Sequence, residues 1–499
     1  MSAVPPVAPG AQAPAAGGGS PPAPAVAPED DAAVQVVSLY RRENKIYPRA
    51  VSGWFVGWRW ALVWATQLVF YGLPWLEWNA RQAVLFDLGA RRFYIFGLVL
   101  YPQDFIYLTA LLIISAYALF LFTAVAGRLW CGYACPQTVY TEMFMWVERR
   151  IEGDRMQRMK RDAGPWTADR SWRAAAKHGA WAAIALWTGF TFVGYFTPIR
   201  ELWASARVLG FGPWEWFWIL FYGFATYGNA GWMREQVCKY MCPYARFQSA
   251  MFDKDTLIIS YDAERGEPRG TRGRKTDLKA ANLGHCIDCE LCVQVCPTGI
   301  DIRKGLQYEC IGCAACVDVC DGVMDKMQYP RGLVRYVTQN GMANHWTRGE
   351  MLRHVLRPRV LVYTAILVLV VGALGTSLAL RSPFKVDVVR DRASLARIVQ
   401  DGWIENVYRL QVMNTTERVQ RYRIAAGGLP GLVVEPEGDV IVGPAEARWV
   451  PVAVRVPPDA AEAAGAGAHA LQFRVERVPE TAADRQAALT EKTTFIVPR

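Results

Sequence analysis

The chain has 499 residues, enough for several domains, and 52% of them are hydrophobic. Its formal net charge is +10, but the basic residues cluster beside apolar stretches, where membrane topology accounts for them without a nucleic-acid partner. None of the twelve cysteines falls in 381–499, the region expected outside the cytoplasm, so the sequence argues against a disulfide-stabilised fold.

Residues 1–37 are predicted to form a disordered arm. The first 32 residues are mostly Pro, Ala and Gly with almost no large side chains, so they cannot bury enough surface to fold. They also lack the basic region and apolar core of a signal peptide. We therefore expect the first membrane span to direct insertion.

Five apolar stretches approach the roughly 20 residues needed to cross a bilayer. The first contains Arg59 and the fourth contains Glu215, both near a span end where a long side chain can reach the interface. A shorter run, Phe93–Tyr101, is expected to lie at the interface. The sequence thus predicts a membrane α-helical bundle of about five transmembrane helices, at 57–76, 105–125, 179–197, 214–232 and 360–380.

Lysine and arginine are distributed unevenly among the connections between these spans. The connection 127–177 carries ten of them, whereas 77–104 carries three and 199–213 carries two. The positive-inside rule then places the N-terminus and 232–359 in the cytoplasm. With five crossings, the C-terminal region 384–499 is expected outside the cytoplasm.

The membrane domain, 38–254, has the pattern of a duplicated unit, in which each half has two spans followed by a C-x3-C-P motif. The motif cysteines are Cys131 with Cys135 and Cys238 with Cys242. Residues i and i+4 of a helix project from one face, so each motif predicts two thiolates within reach of a common ion. Thiolates favour Cu(I), zinc or iron-sulfur clusters. Four converging thiolates would make a closed site, and two separate pairs would make open ones.

These four cysteines could instead be small buried hydrophobic residues, a common fate of free cysteine. The repeated spacing, following proline and membrane depth favour a redox or metal-binding role with the metal unspecified, and we predict all four as catalytic residues. Methionine on a bundle helix more often packs in a core than binds metal. The methionines considered as additional thioether ligands are Met143, Met145, Met233 and Met241.

A basic linker, 255–283, includes a short predicted strand at Thr256–Tyr261 and leads to the segment 284–330, which holds eight cysteines in two C-x2-C-x2-C-x3-C runs. In such a run the first three thiolates hold one 4Fe-4S cluster and the fourth reaches the neighbouring cluster. The spacing thus predicts a ferredoxin-like domain with two [4Fe-4S] clusters. The predicted ligands are Cys286, Cys289, Cys292 and Cys320 for the first cluster, and Cys310, Cys313, Cys316 and Cys296 for the second.

Structural zinc and disulfides are the alternatives for these eight cysteines. Zinc usually separates its cysteine pairs by a longer loop, and a third cysteine two residues on does not fit that pattern. His285 is expected to flank the first cluster rather than to ligate it. Asp321 stands where the second run would have its proline, which leaves the ligand prediction unchanged.

The end of the chain changes character after a second linker, 331–359, and the fifth span. Apolar and polar residues alternate over 384–499 between Gly and Pro turns, which is typical of an antiparallel β-sandwich. We predict an immunoglobulin-like domain that serves docking, since nothing in it indicates catalysis.

Several long strings resemble the CcoG family, also called FixG or RdxA, over about 38–499. These proteins are accessory factors in assembly of the cbb3-type cytochrome c oxidase of bacteria. The strings are Gly132–Trp146, Met241–Lys254, Cys296–Arg303, Cys310–Cys316 and Glu405–Gln411.

This resemblance implies a cytoplasmic-membrane iron-sulfur protein that reduces Cu(II) to Cu(I) for the copper centre of the oxidase. The family's cluster and C-x3-C-P cysteines carry over to the twelve named above, with copper as a candidate ligand of the C-x3-C-P cysteines. The implied partners are copper ions, assembly factors of the cbb3-type oxidase and an unknown electron donor. The membrane half is also similar to quinol-oxidising proteins of the NapH and NosR type, and a non-enzymatic assembly scaffold is the third hypothesis.

Overall fold

A computed structural model describes residues 45–391, 395–479 and 487–499. The predicted disordered arm, 1–37, lies outside the described residues. Along the described chain, helices come first, a cysteine-rich segment follows, and a β-sandwich comes last.

The first part pairs two long helices with a small β-layer between them. Its helices follow apolar runs and change course at prolines: Pro74 lies in a 3-10 turn after the first helix, and Pro136 opens the fourth. The elements are α1 (Trp54–Gly72), β1 (Glu77–Trp78), β2 (Arg81–Gln82), β3 (Val84–Asp87), β4 (Arg92–Ile95), β5 (Leu98–Leu100), α2 (Phe105–Ala126), α3 (Leu129–Tyr133), α4 (Pro136–Glu152) and α5 (Arg155–Ala163).

The second part repeats the helical pair. Thr167 caps its long helix by accepting a hydrogen bond from the backbone N–H of Arg170 at 3.2 Å. Its two main helices approach closely at Gly189, where a Cβ would lie 2.3 Å from the carbonyl oxygen of Ile219. The elements are α6 (Ala168–Val193), α7 (Ile199–Arg207), α8 (Pro213–Tyr227), two π-helical turns (Gly228–Met233 and Val237–Met241) and α9 (Pro243–Met251).

The cysteine-rich part follows and joins the last long helix. Strands from the two predicted linkers pair with each other in antiparallel register, so Ile258 lies opposite Val337. The elements are β6 (Ile258–Tyr261), α10 (Ala263–Gly266), α11 (Leu291–Gln294), α12 (Ala315–Met327), β7 (Val334–Val337), α13 (Gln339–Ala343), α14 (Arg348–Val355) and α15 (Pro358–Ala379).

All five predicted spans are largely helical, but they differ in apolar length. In the part of the chain that the structure describes, two helices are long and apolar enough to cross a membrane: Pro102–Ala126, with mean hydropathy 2.3, and Pro358–Ala379, with 2.2. In the most apolar stretch of each helix, the share of residues buried against the rest of the chain is 0% in the first helix and 6% in the second. Exposed apolar surface of this extent needs a covering, so the two helices indicate membrane association.

The predicted β-sandwich is confirmed as two antiparallel sheets, β12-β14-β10-β8 with β9 beside β10, and β13-β11-β15-β16. Its core side chains, including Tyr408, Tyr422 and Phe473, are fully buried. The elements are β8 (Phe384–Arg390), β9 (Arg397–Ile398), β10 (Ile404–Asn414), β11 (Gln420–Gly427), β12 (Val433–Glu435), β13 (Asp439–Val442), β14 (Ala447–Val456), α16 (Pro458–Ala464), β15 (Gly467–Val478) and β16 (Ala488–Val497).

The small sheet β3-β4-β5 packs against this sandwich. Tyr94 and Tyr101 share a buried cluster with Met413, and Asp104 forms ion pairs with Arg381 and Lys385. The run Phe93–Tyr101, expected at a membrane interface, therefore forms part of this sheet and meets the C-terminal domain.

Candidate metal centres

Four cysteines line a first cavity between the loop that leads into α11 and helix α12. Cys286, Cys289 and Cys292 come from the loop and the first turn of α11, and Cys320 comes from α12. The structure thus brings together the four cysteines predicted for the first cluster. Much of the remaining wall is apolar and includes Leu291, Val323, Met324, Leu333 and Val334.

A second cavity lies beside the first. Cys296, Cys310, Cys313 and Cys316, the set predicted for the second cluster, all line it. Cys292 lines both cavities, so the two sites share a wall. The apolar residues around the second cavity are Ile259, Ile300, Ile302 and Ile311.

The two cysteine runs adopt the same unusual backbone conformation. The residues before and after the second cysteine have positive φ in both: 52° at Asp288 and 55° at Glu290, and 68° at Gly312 and 57° at Ala314. Left-handed conformations are uncommon for residues other than glycine. Their repetition turns each loop so that successive cysteines line one cavity.

The environment of these thiols fits a metal cluster. Burial, with smaller contributions from neighbouring thiolates, raises the pKa of Cys292 to about 11 and those of Cys310 and Cys320 to about 12. Without a cation, these thiols would stay protonated near neutral pH. Bound metal deprotonates a coordinating thiol, so four soft donors in an apolar cavity suit a 4Fe-4S cluster at each position.

The two C-x3-C-P motifs interrupt their helices. Cys131 lies in α3, whereas Cys135 is extended (φ −61°, ψ 129°) and precedes α4. Cys238 lies in a π-helical turn, and Cys242 is again extended (φ −77°, ψ 109°) before α9. The expectation that each pair lies on one face of a continuous helix is therefore wrong, because a proline disfavours helical conformation in the residue before it.

Hydrogen bonds join the two motifs across the duplicated halves. The Cys131 thiol donates to Gln248 Oε1 at 3.4 Å, and Gln248 lies in the helix that follows Cys242. In the opposite direction, Gln137 Nε2 donates to the carbonyl oxygen of Arg234 at 3.0 Å. The motifs are therefore neighbours rather than separate sites.

The four motif cysteines are close enough for their charges to interact. Burial, together with neighbouring thiolates of Cys135, Cys131 and Cys242, raises the pKa of Cys238 to about 12. Burial is also the main cause that raises the pKa of Cys131 to about 11, and the neighbouring thiolate of Cys135 is the second cause. The four thus form one cluster, although among the described residues no three His, Cys, Asp or Glu side chains are close enough to hold a single metal ion.

The second cavity contacts the first C-x3-C-P motif directly. A Cβ on Gly132 would lie 2.8 Å from the carbonyl oxygen of Ile311 and 2.9 Å from the backbone nitrogen of Cys313. On the other motif, Cys238 lines a pocket with Ile311 and Thr298, two residues that also line the second cavity. The three cysteine groups therefore follow one another in space.

Comparison with known proteins finds three domain models that match the chain. Models of a 4Fe-4S binding domain, a 4Fe-4S dicluster domain and the IG-like fold at the C-terminal of FixG match residues 108–153, 233–339 and 374–498. The nitrogen fixation protein FixG of Rhizobium meliloti is 38% identical over 431 residues, which cover 80% of this chain and 82% of FixG. The chain belongs to the CcoG/FixG/RdxA family.

A second relative agrees with membership of the CcoG/FixG/RdxA family. Protein RdxA of Cereibacter sphaeroides is 38% identical over 410 residues, covering 80% of this chain and 86% of RdxA. The crystal structure of a FixG-related protein from Vibrio parahaemolyticus matches 23% of this chain and 97% of its own, with 25% identity and a TM-score of 0.20. The family and the two 4Fe-4S domain matches identify an iron-sulfur redox protein.

Some residues around these sites were not identified from the sequence of this CcoG/FixG/RdxA family member. The Asp318 carboxylate, between two cluster cysteines on α12, accepts hydrogen bonds from the backbone N–H groups of Phe55 and Val56 at 3.2 and 2.8 Å. Tyr336 donates to the carbonyl oxygen of Gly312 at 2.6 Å. The residues next to Asp318 in the sequence do not indicate that its carboxylate binds backbone groups more than 250 positions away.

The additional candidate ligands separate in the structure. Met145 lines the same pocket as Cys238, whereas Met143 packs in the apolar cluster around Trp181 and Met241 is exposed. His285 stacks on Tyr329, with ring centroids 5.1 Å apart. Of these three methionines, Met145 is thus the one that shares a pocket with a motif cysteine.

Proposed function

We propose that this protein is a membrane-bound electron-transfer enzyme that reduces Cu(II) to Cu(I). One observation carries the proposal: two cysteine-lined cavities share a wall, and the second contacts a group of four further cysteines. This arrangement suits stepwise transfer of single electrons from the first cavity through the second to the four motif cysteines.

Eight cysteines would hold the clusters. Cys286, Cys289, Cys292 and Cys320 would bind the first, and Cys310, Cys313, Cys316 and Cys296 the second, since each set lines one cavity. A 4Fe-4S cluster, when bound, accepts and releases one electron at a time. The protein contributes placement and exclusion of water, because the residues other than cysteine that line the second cavity are four isoleucines and Thr298.

The exposed end of this route suits an electron donor. Cys289 is exposed, whereas Cys313 and Cys316 are buried. A cytoplasmic one-electron carrier would therefore approach the first site. Cys292, which lines both cavities, would lie between the two bound clusters, and the second site lies against the C-x3-C-P motifs.

Copper enters this scheme as the substrate. Cys131, Cys135, Cys238 and Cys242 would bind Cu(II) near the second site, and the ion takes up one electron to become Cu(I). Thiolates are soft ligands that favour the Cu(I) product. The four side chains need to move closer together on binding, because their present spacing does not suit a single ion.

Contacts within the chain support the proposed membrane topology of five spans. The connection 77–104, expected outside, contacts the C-terminal domain: Tyr101 donates to the carbonyl oxygen of Asn414 at 3.0 Å. The basic connection 127–177, expected in the cytoplasm, contacts the cluster segment at Gly132. Segments assigned to the same side of the membrane therefore contact each other. Helices α2 and α15, which are both proposed spans, pack together between the two sides. Protease added to spheroplasts should digest the β-sandwich and spare the cluster segment.

The product would serve assembly of the cbb3-type cytochrome c oxidase, as the family resemblance implies. The periplasmic immunoglobulin-like domain would dock assembly factors of that oxidase. It has a well-packed core and, in its described residues, no cysteine, so the domain would supply binding surface and take no part in electron transfer.

The test compares thiol variants under conditions that leave the clusters intact. Reduced protein is mixed with Cu(II), and Cu(I) is followed with a chromogenic chelator. Cys135→Ser and Cys242→Ser should abolish copper reduction while iron content and cluster spectra stay unchanged. Met241→Leu, at the exposed neighbour of Cys242, is the control and should keep full activity. Unchanged copper reduction in both cysteine variants would remove the motifs from the mechanism.

A second candidate function, quinol oxidation, is favoured by a buried polar group. The Tyr71 hydroxyl lies 2.9 Å from Thr188 Oγ1, and Gln67, 8% exposed, has an Oε1 atom without a hydrogen-bond partner among the described residues. Buried polar atoms normally have partners, so a quinol hydroxyl could bind there. If a quinol analogue reduces the clusters and Gln67→Leu prevents it, this function replaces the first.

A further inference from the structure

An open cavity lies away from all twelve cysteines, between the end of α4, helix α5 and the start of α6. Its volume is about 590 Å³, compared with about 30 and 20 Å³ for the two cysteine-lined cavities. Gly153 and Gly164 lie in its wall. The electron-transfer proposal does not use this cavity.

The cavity is lined by five cationic side chains and two carboxylates. Both carboxylates already have partners: Glu152 pairs with Lys177 at 2.8 Å, and Asp169 pairs with Arg173 at 2.9 Å. They therefore cannot neutralise the remaining cations. The five cationic residues are Arg150, Lys160, Arg161, Arg170 and Arg173.

Two of these cations have no anionic partner in the described ranges. The Arg150 guanidinium lies over the Trp146 ring, 5.3 Å from its centroid, and no ion pair of Lys160 occurs among residues 45–391, 395–479 and 487–499. Arg161 and Arg170 donate to backbone carbonyl oxygens of Glu152 and Gly164. The cavity is therefore rich in hydrogen-bond donors, which suit an anion with several oxygens.

The surroundings point to a lipid rather than to a free anion. Trp146, Trp166 and Trp172 lie on the neighbouring surface and are 44%, 72% and 72% exposed. Exposed tryptophans are typical of the headgroup level of a membrane, and α6 runs from this cavity into the predicted span 179–197. Basic pockets beside membrane helices bind anionic headgroups.

We propose that this cavity binds the phosphate headgroup of an anionic membrane lipid. The phosphate oxygens would accept from Arg150 and Lys160, which the protein leaves without anionic partners. The acyl chains would extend along the apolar part of α6. A bound lipid would fix the cytoplasmic connection between the two duplicated halves at the membrane surface.

The test uses the full chain in detergent and native mass spectrometry. The detergent solution is supplied with phosphatidylglycerol, with phosphatidylcholine or with inorganic phosphate. Comparing the two lipids tests the charge of the headgroup, and comparing phosphatidylglycerol with inorganic phosphate tests whether the lipid is needed. Arg150→Gln/Lys160→Gln should bind phosphatidylglycerol about thirty-fold more weakly, as expected for two basic groups at an anionic surface. Lys326→Gln/Arg348→Gln removes the same charge from two exposed sites elsewhere and should bind as the wild type does.

Cluster absorbance and elution volume establish that each variant folds. If the double variant fails to fold, Lys160→Gln alone, at an exposed position, should bind about five-fold more weakly. The proposal is overturned if phosphatidylcholine binds as tightly as phosphatidylglycerol, or if the control loses as much affinity as the cavity variant. Binding of inorganic phosphate as tight as that of the lipid would assign the cavity to a free anion and also overturn it.

Discussion

Replacement of Gly132 by alanine should separate the second cluster site from the C-x3-C-P motifs. The added methyl carbon would lie 2.8 Å from the carbonyl oxygen of Ile311 and 2.9 Å from backbone atoms of Cys313, whereas ordinary contacts begin at 3.4 Å. These are backbone atoms, so they cannot rotate away as a side chain could. The two loops must therefore move apart by roughly half an ångström.

Two opposing effects set the magnitude. Overpacking of this kind costs about 1–3 kcal/mol, and alanine offsets it by about 1 kcal/mol because Gly132 lies in the short helix α3. We expect a net loss of up to about 2 kcal/mol, which lowers the melting temperature by several degrees. Gly179→Ala is the matched control, since this helical glycine has no atom within 4 Å of its Cβ position. It should leave stability unchanged or raise it by about 0.5–1 kcal/mol.

The assays are thermal melting and stopped-flow reoxidation of the reduced protein by Cu(II). Gly132→Ala should melt below the control and transfer electrons to copper more slowly, with unchanged iron content. If Gly132→Ala melts as high as Gly179→Ala and is reoxidised at the wild-type rate, the close contact of the two loops is refuted.

Three further predictions concern other parts of the chain. Cys320→Ala should remove the first cluster and spare the second, as read by iron content and electron paramagnetic resonance; equal loss of both would contradict the crossed ligand sets. Asp104→Asn leaves Arg381 and Lys385, whose side chains are 9% and 23% exposed, without their buried carboxylate and should cost up to about 3 kcal/mol in thermal unfolding, whereas Asp387→Asn, at an exposed hydrogen bond, should cost little. Burial alone would raise the pKa of Glu405, but hydrogen bonds, chiefly from Arg455, lower it below its usual value, so its stabilisation is present above about pH 4.3 and is lost as the pH falls through the folded-state pKa. Glu405→Gln should therefore melt lower than wild type at pH 7 and lose less stability between pH 6 and 3; an unchanged pH profile would exclude this contribution.

The predicted cluster ligands show how much a local pattern can specify. The crossing of Cys320 to the first site and of Cys296 to the second was predicted from spacing, and each of these cysteines lines the predicted cavity. Spacing suffices because the cluster itself fixes where its ligands must lie. By contrast, the spacing of Cys131 and Cys135 suggested one continuous helix, and the proline after Cys135 overrode it.

The basic cavity shows the opposite case. Its arginines and lysine were recognised in the sequence only as a signal of membrane orientation. Because α5 folds back between the end of α4 and the start of α6, residues as distant in sequence as Arg150 and Arg173 line one cavity. Charge counting cannot separate a solvated basic surface from a concave one.

The sequence by itself determined the iron-sulfur chemistry, the alternation of the sandwich strands and the helical stretches, because these depend on residues a few positions apart. Only the tertiary structure decided that the two thiol motifs adjoin each other and the second cluster site, and that Asp318 holds the start of α1. The bonds that decide these points join residues 117 and 263 positions apart in the chain. Contacts at such separations depend on how the whole chain packs, and no local pattern of residues encodes them.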